Sequence, residues 1–294
     1  MINPKVYYTK EITPESLIKV YEALGVELTG RVAVKVSTGE RGAKGYLKAD
    51  LISPLVQKLN GTIVECNTAY DGARNFADEH MKVAKEHGFD FAPIDIMDAE
   101  GDFKIPVSSG KHLSYDLVGN HLKFYDGLLN LAHGKGHMMG GFGANLKNQS
   151  IGIASRSGKA YIHSCGQTTD PDACWHAKYA QIDFIESMAE AAKAVADYFK
   201  GQGKPILYIT VMNAISTSCD CDAHQDDPVM ADLGIIGSLD PVANDQAFLD
   251  LIWHSTDPGK DKLIERITSR EGEKITKYAE SLGLGSTDYD LVEL

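Results

Sequence analysis

Strand-like and helix-like segments alternate through the first hundred residues, and this restricts the chain to folds whose parallel strands are joined by helical crossovers. Lys5–Thr9 is a short β-rich run. Thr13 then caps a helix that has Pro14 at its first position, where a missing N–H is harmless. Leu17, Val20, Tyr21 and Leu24 form its apolar stripe, and Gly25 stops it. The pattern repeats: Arg31–Val36 as strand, Asp50–Leu59 as helix, Thr62–Cys66 as strand, Phe76–His87 as helix and Ala92–Met97 as strand. Further on, Gly127–Ala132, Ile206–Val211 and Leu233–Ser238 read as buried strands. Helices are expected at Gln181–Phe199, Pro241–Trp253 and Glu273–Leu282. The fold class expected is α/β: one family domain over residues 1–294, with a mainly parallel sheet covered by helices on both faces. A division into two lobes near residue 165 is allowed but not forced.

Charge and composition narrow the function. The net charge is −12, and no Lys/Arg stripe forms, which argues against nucleic acid as a partner. No 18-residue apolar run occurs, so no membrane span is expected. The N-terminus lacks the layout of a signal peptide. Five irregularly spaced cysteines do not make a disulfide framework, and a cytoplasmic protein is expected. The partners expected are a small anionic substrate or cofactor, and oligomeric state is left open.

Three segments are too polar or too glycine-rich for ordinary connections. The first is Ser37–Gly45, which contains Glu40, Arg41 and Lys44 just after a strand. It reads either as a site for a carboxylate or phosphate, with Glu40 and Arg41 near a cofactor, or as a solvated loop. The second is Gly134–Asn148, with five glycines in ten residues and with His137 and Lys147 embedded in it, followed by His163. Glycines tolerate positive φ and close approach, so this run suits a ligand-holding loop at the strand ends. The third is Ser216–Pro228, with Cys219, Cys221 and His224 among carboxylates. It reads either as a chelate for zinc or iron, or as two small buried cysteines beside capping acids. Asp71 and Arg74 are candidate substrate contacts; Cys66, Cys165 and Cys174 read as structural.

The stretches Val34–Gly42, Gly140–Ala154, Asp183–Lys193, Cys219–Cys221 and Ile235–Ala247 identify the chain as a member of the domain of unknown function 362 family, over nearly its whole length. Many members of that family carry an inserted ferredoxin module. Here no Cys-x-x-Cys-x-x-Cys run occurs, so no ferredoxin-type cluster is expected. Gly141-Phe142-Gly143 followed by Lys147 is also similar to the Gly-Phe-Ser-Gly-Gly-x-Lys stretch of nickel-pincer lactate racemases. That resemblance implies a nickel-pincer nucleotide held by Gly141, Phe142 and Gly143, with Lys147 as its covalent tether. It implies His163 as a metal ligand and His137 as an acid/base group. The chain departs at Ala144-Asn145, where the racemases have glycines. The expected activity is a metal-dependent racemase or epimerase of a small hydroxy acid. The alternative is a metal- or iron–sulfur-associated redox or binding protein centred on Cys219 and Cys221, with an unidentified metal ion. A third reading is a module whose glycine-rich loop binds an anion.

Overall fold

A computed structural model describes residues 3–294. Its frame is one eight-stranded sheet. The strands are β1 (Lys5–Thr9), β2 (Val32–Lys35), β3 (Thr62–Glu65), β4 (Ile94–Ile96), β7 (Gly127–His133), β10 (Ile206–Met212), β11 (Gly234–Ser238) and β12 (Asp290–Glu293). Their order is β12-β1-β11-β10-β7-β2-β3-β4. All neighbours are parallel except those of β11, which runs antiparallel to both β1 and β10. The mainly parallel α/β architecture is therefore as expected from the sequence.

Both faces of the sheet are covered. On one face Val34, Leu129, Leu131 and Ile209 pack with helices α1 (Pro14–Ala23) and α2 (Ala49–Lys58). Helix α3 (Ala77–Glu86) lies on the same side, contributing Ala84. The other face meets α4 (Asn145–Ile153), α5 (Arg156–His163), α6 (Gln181–Gly201) and α7 (Pro241–His254). Helices α8 (Lys260–Thr268) and α9 (Lys274–Ser281) pack outside α6 and α7. Thr13 and Asp240 cap α1 and α7, each followed by Pro at the first helical position.

From β2 the chain steps outward through β3 to β4, then returns to the other side of β2 as β7. The β2/β7 boundary is thus a topological switch point, where open α/β sheets leave a crevice at the strands' carboxyl ends. Two small hairpins complete the fold: β5 (Asp102–Pro106) with β6 (Tyr115–Gly119), and β8 (Lys135–His137) with β9 (Gly141–Gly143).

The glycine-rich run differs from the expected ligand-holding loop. It forms the β8–β9 hairpin and then the buried helix α4. Its glycines admit neighbouring backbone. A Cβ on Gly136 would stand 2.5 Å from the carbonyl oxygen of Thr217. Gly141 has φ +78°, and a Cβ there would meet the carbonyl oxygen of Ile267 at 2.8 Å. Phe142 lies in the core beside Phe248.

Candidate active site

A cavity of about 160 Å³ opens at the carboxyl ends of β2 and β3, beside the β8–β9 hairpin. Helix α4 lines it with Lys147, Asn148, Ile151 and Gly152, spaced so that one helical face serves the cavity. Helix α5 contributes Lys159 and His163, one turn apart. The β8–β9 hairpin adds His137 and Met138, β2 adds Lys35, and β3 with its following loop adds Glu65, Cys66, Tyr70 and Arg74. Cys221 closes one side. Tyr70, Met138 and Cys221 also border an outer groove that Glu40, Arg41 and Asp71 help to line.

Helix α4 is held by polar contacts inside the core. Asp245 on α7 accepts the first N–H groups of the helix, from Asn145 at 2.8 Å and Leu146 at 2.9 Å. It supplies the cap that Ala144 cannot. Asn145 donates to Thr210 and Asn244. Asn148 donates to the side chain of Asn130 on β7 at 2.7 Å and to the carbonyl of Lys35 at 3.0 Å. These buried bonds fix the register of α4 on the sheet and thereby aim Lys147. Ala144 packs in the core and neither it nor Asn145 lines the cavity, so the departure from the racemase glycines falls away from the site.

The cavity wall is strongly charged. Lys35 pairs with Glu65 at 2.9 Å and also donates to Asn148. Arg74 reaches Glu65 at 3.3 Å and Glu40 at 3.5 Å. Burial pushes the Glu65 carboxyl up, but Lys35, His80 and Arg74 outweigh it and hold the group well below the usual carboxylate range. Behind the hairpin, Asp220 pairs with both Lys135 and His133. Lys147 and Lys159 differ: among the described residues neither has a carboxylate within ion-pair distance. Lys159 donates only to the carbonyls of Cys66 and Ala154. Burial, together with repulsion from Lys135 and Lys35, brings the Lys147 amine down to about 7.

Both cavity imidazoles are neutral. Burial, reinforced by Lys147 and His163, holds His137 well below its ordinary value. Burial, Lys147 and Lys159 push His163 down to about 3. His137 Nδ1 accepts the N–H of Gly140 at 2.8 Å. His163 stacks on Phe184 with centroids 5.0 Å apart, and its Nδ1 is buried without a partner.

The structure thus brings His137, Lys147 and His163 to one cavity. It also brings the third segment there: a ligand atom from each of His137, Cys219 and Cys221 lies within 4.8 Å of the others. Cys219 and Cys221 are joined as a disulfide, contrary to the expectation of free cysteines. In that form neither sulfur is a thiolate, so the pair is no metal chelate until it is reduced. His163 is not part of that group.

Two further expectations are corrected. Gly141 and Phe142 do not line the cavity, because the hairpin turns Phe142 into the core and Gly141 against the 267–272 backbone; Gly143, also outside the lining, faces the side chains of Lys135 and Lys147. Arg41 does not offer a free fork to an anion. Glu86 takes it in two bonds, at 2.8 and 2.9 Å. Glu40 is an internal organiser, accepting from Arg41 N, Ala73 N and Tyr70. Lys35, Glu65, Asn148, Lys159 and Asp220 were not singled out by sequence. The available signal was a charge or amide inside an otherwise apolar buried strand, as at Lys35, Glu65 and Asn130.

No curated protein matches the chain. Among solved structures it is similar to the lactate racemase apoprotein from Thermoanaerobacterium thermosaccharolyticum, with 15% identity and a TM-score of 0.41. That match covers 71% of this chain and 51% of the other. It is also similar to a protein from Thermotoga maritima, with 14% identity, a TM-score of 0.41, and coverage of 89% and 59%. The chain spans somewhat more than half the length of each. The family model described as Domain of unknown function (DUF362) matches residues 32–250, three quarters of the sequence, and the chain belongs to that family.

Proposed function

We propose that this protein is an enzyme of the racemase or epimerase type, acting on a small hydroxy acid bound in the Lys147–His163 cavity. The observation that carries the reading is the presence of Lys147 and Lys159 without counter-ions in a buried wall that also presents two neutral imidazoles. Unpaired buried cations are destabilising, and a wall built this way suits an anion that supplies the missing charge. The volume is close to that of a cavity that takes a benzene-sized ligand.

The residues also fit a nickel-pincer nucleotide in part. Lys147, with a substantial neutral fraction near pH 7, is suited to a covalent link. His163, with an unpartnered ring nitrogen, is a candidate metal ligand. The nucleotide is larger than the inner cavity and would extend into the groove bordered by Tyr70, Met138 and Cys221. Bound there, such a cofactor would supply a hydride acceptor for the substrate carbinol. The chain's own groups would bind the carboxylate and exclude water. His137 presents Nε2–H as a donor to the substrate oxygen, since its Nδ1 lone pair is already engaged.

The test is intact mass of protein made alongside cofactor-assembly enzymes. An excess mass mapping to Lys147 is expected. Unmodified Lys147 would remove the pincer reading and leave the anion site alone. A second reading, a redox centre at Cys219 and Cys221, is favoured by the position of Cys221 on both the cavity and the groove. Under the first reading a Cys219→Ser/Cys221→Ser protein keeps its turnover. Loss of all turnover would favour the second.

A further inference from the structure

Three lysines line the cavity, and their amines are held differently. Lys35 spends its three donors on Glu65 at 2.9 Å, Asn148 at 3.1 Å and the carbonyl of Val36 at 3.1 Å. Lys159 gives two of its three to the carbonyls of Ala154 at 2.6 Å and Cys66 at 3.3 Å. Lys147 gives none: its amine is open to the cavity and, among the described residues, makes no hydrogen bond or ion pair. Its stem is held all the same. Helix α4 sets its direction, and a Cβ on Gly143 would stand 3.9 Å from its Cδ and 4.0 Å from Cε of Lys135. Lys135 is a fixed cation, paired with Asp220. Burial beside fixed cations, with no carboxylate in reach, favours the neutral and nucleophilic form of the Lys147 amine.

A free amine in a small, partly closed space is placed to attack a carbonyl carbon, and two neighbours complete the site. Lys159 keeps one N–H for a carboxylate, whereas Arg74 is taken up by Glu65, Glu40 and Tyr70. His137 offers Nε2–H to a carbonyl oxygen, because its Nδ1 is engaged by Gly140. We infer that Lys147, where it carries no cofactor, forms a reversible imine with a short 2-oxo monocarboxylic acid whose carboxylate is held at Lys159. The Nζ–C2 bond forms as the carbonyl opens. Both protons of the amine pass to the carbonyl oxygen, and the C2–O bond breaks to release water. Hydrolysis runs the same steps backwards, so nothing is oxidised or reduced. A 2-oxo acid has the carbon skeleton of the 2-hydroxy acid proposed above, and the inference rests on that reading of the cavity as the site of a small carboxylate.

The test is trapping with pyruvate and cyanoborohydride at pH 7, on protein from a host without cofactor-assembly enzymes, followed by peptide mapping. One reduced adduct is expected, at Lys147, formed about 100-fold faster than at any exposed lysine, whose amine is almost wholly protonated at that pH. Acetone, with a methyl group in place of the carboxylate, should be trapped at Lys147 about 10-fold more slowly than pyruvate. In Lys159→Met the two should be trapped within about 3-fold of each other. Adducts spread over exposed lysines with no excess at Lys147 would overturn the inference. So would a folded Lys147→Met protein that still takes up one equivalent at the same rate, or a preference for pyruvate that survives in Lys159→Met. The two readings fail separately. Lys147 untouched by pyruvate, yet loaded in a cofactor-making host, removes only the imine. Lys147 trapped by pyruvate, yet never loaded with cofactor, supports the imine and removes only the pincer reading.

Discussion

The Nδ1 atom of His137 accepts the backbone N–H of Gly140 at 2.8 Å, across the turn of the β8–β9 hairpin. A neutral imidazole with its Nδ1 lone pair engaged carries its proton on Nε2. Burial and the neighbouring Lys147 keep the ring neutral through the physiological range. His137 should therefore act as a hydrogen-bond donor to substrate oxygen and not as a base. Nitrogen NMR of labelled protein is expected to show the Nε2–H tautomer, with no titration between about pH 5.5 and 8. A titration in that window would contradict this assignment.

Lys147 supplies a stability signature independent of any reaction. Its amine is brought from an ordinary value down to about 7 by burial and by the nearby lysines. Between that value and about 10.4, the unfolded chain binds a proton that the folded chain does not, so stability climbs with pH through this window. Below 7 the penalty of burying the charge is present in full. Lys147→Met removes the penalty and should raise Tm at pH 6.5 by about 2 °C or more. The variant should also lack the climb above pH 7. A lower Tm, or an unchanged pH profile, would mean that the charge is compensated.

Seven of the eight strands of the main sheet and the three chemistry-bearing segments were legible in the sequence, because apolar runs, caps and glycine stops carry local signals; the edge strand β12 and the two hairpins were not. Helix α4 was not. The buried residues of Asn145–Ile153 interleave Asn145, Asn148, Gln149 and Ser150 with Leu146, Ile151 and Ile153, so no continuous apolar stripe marks it. It is helical because Asp245, a hundred residues away, caps it, and because Asn130 and Lys35 receive its amides. Helix α5 is likewise short and carries Lys159 and His163 on its cavity face. Glycine composition pointed to the right region for a different reason: Gly136 and Gly141 admit neighbouring backbone, and that approach brings Cys219 and Cys221 to His137. The excess of buried cations was invisible until the fold placed β2, α4 and α5 around one space.

Asp220 ties the Cys219–Cys221 segment to the sheet. Burial pushes its carboxyl up, but Lys135 and His133 hold it far below the usual range, and its carbonyl accepts the N–H of Glu40 at 2.7 Å. Asp220→Asn leaves the ammonium of Lys135 buried without its partner. It should destabilise the fold by about 3–5 kcal/mol in urea unfolding at pH 7. A change below about 1 kcal/mol would show that water or another group takes over the pairing.

The most direct test of the cavity's assigned chemistry is chiral chromatography of a panel of enantiopure short 2-hydroxy acids, each after incubation with protein made alongside cofactor-assembly enzymes. The expected result is the appearance of the opposite enantiomer, abolished in Lys147→Met and in His163→Ala. Every acid of the panel recovered as a single enantiomer, from protein whose Lys147 carries the full adduct, would contradict the assignment.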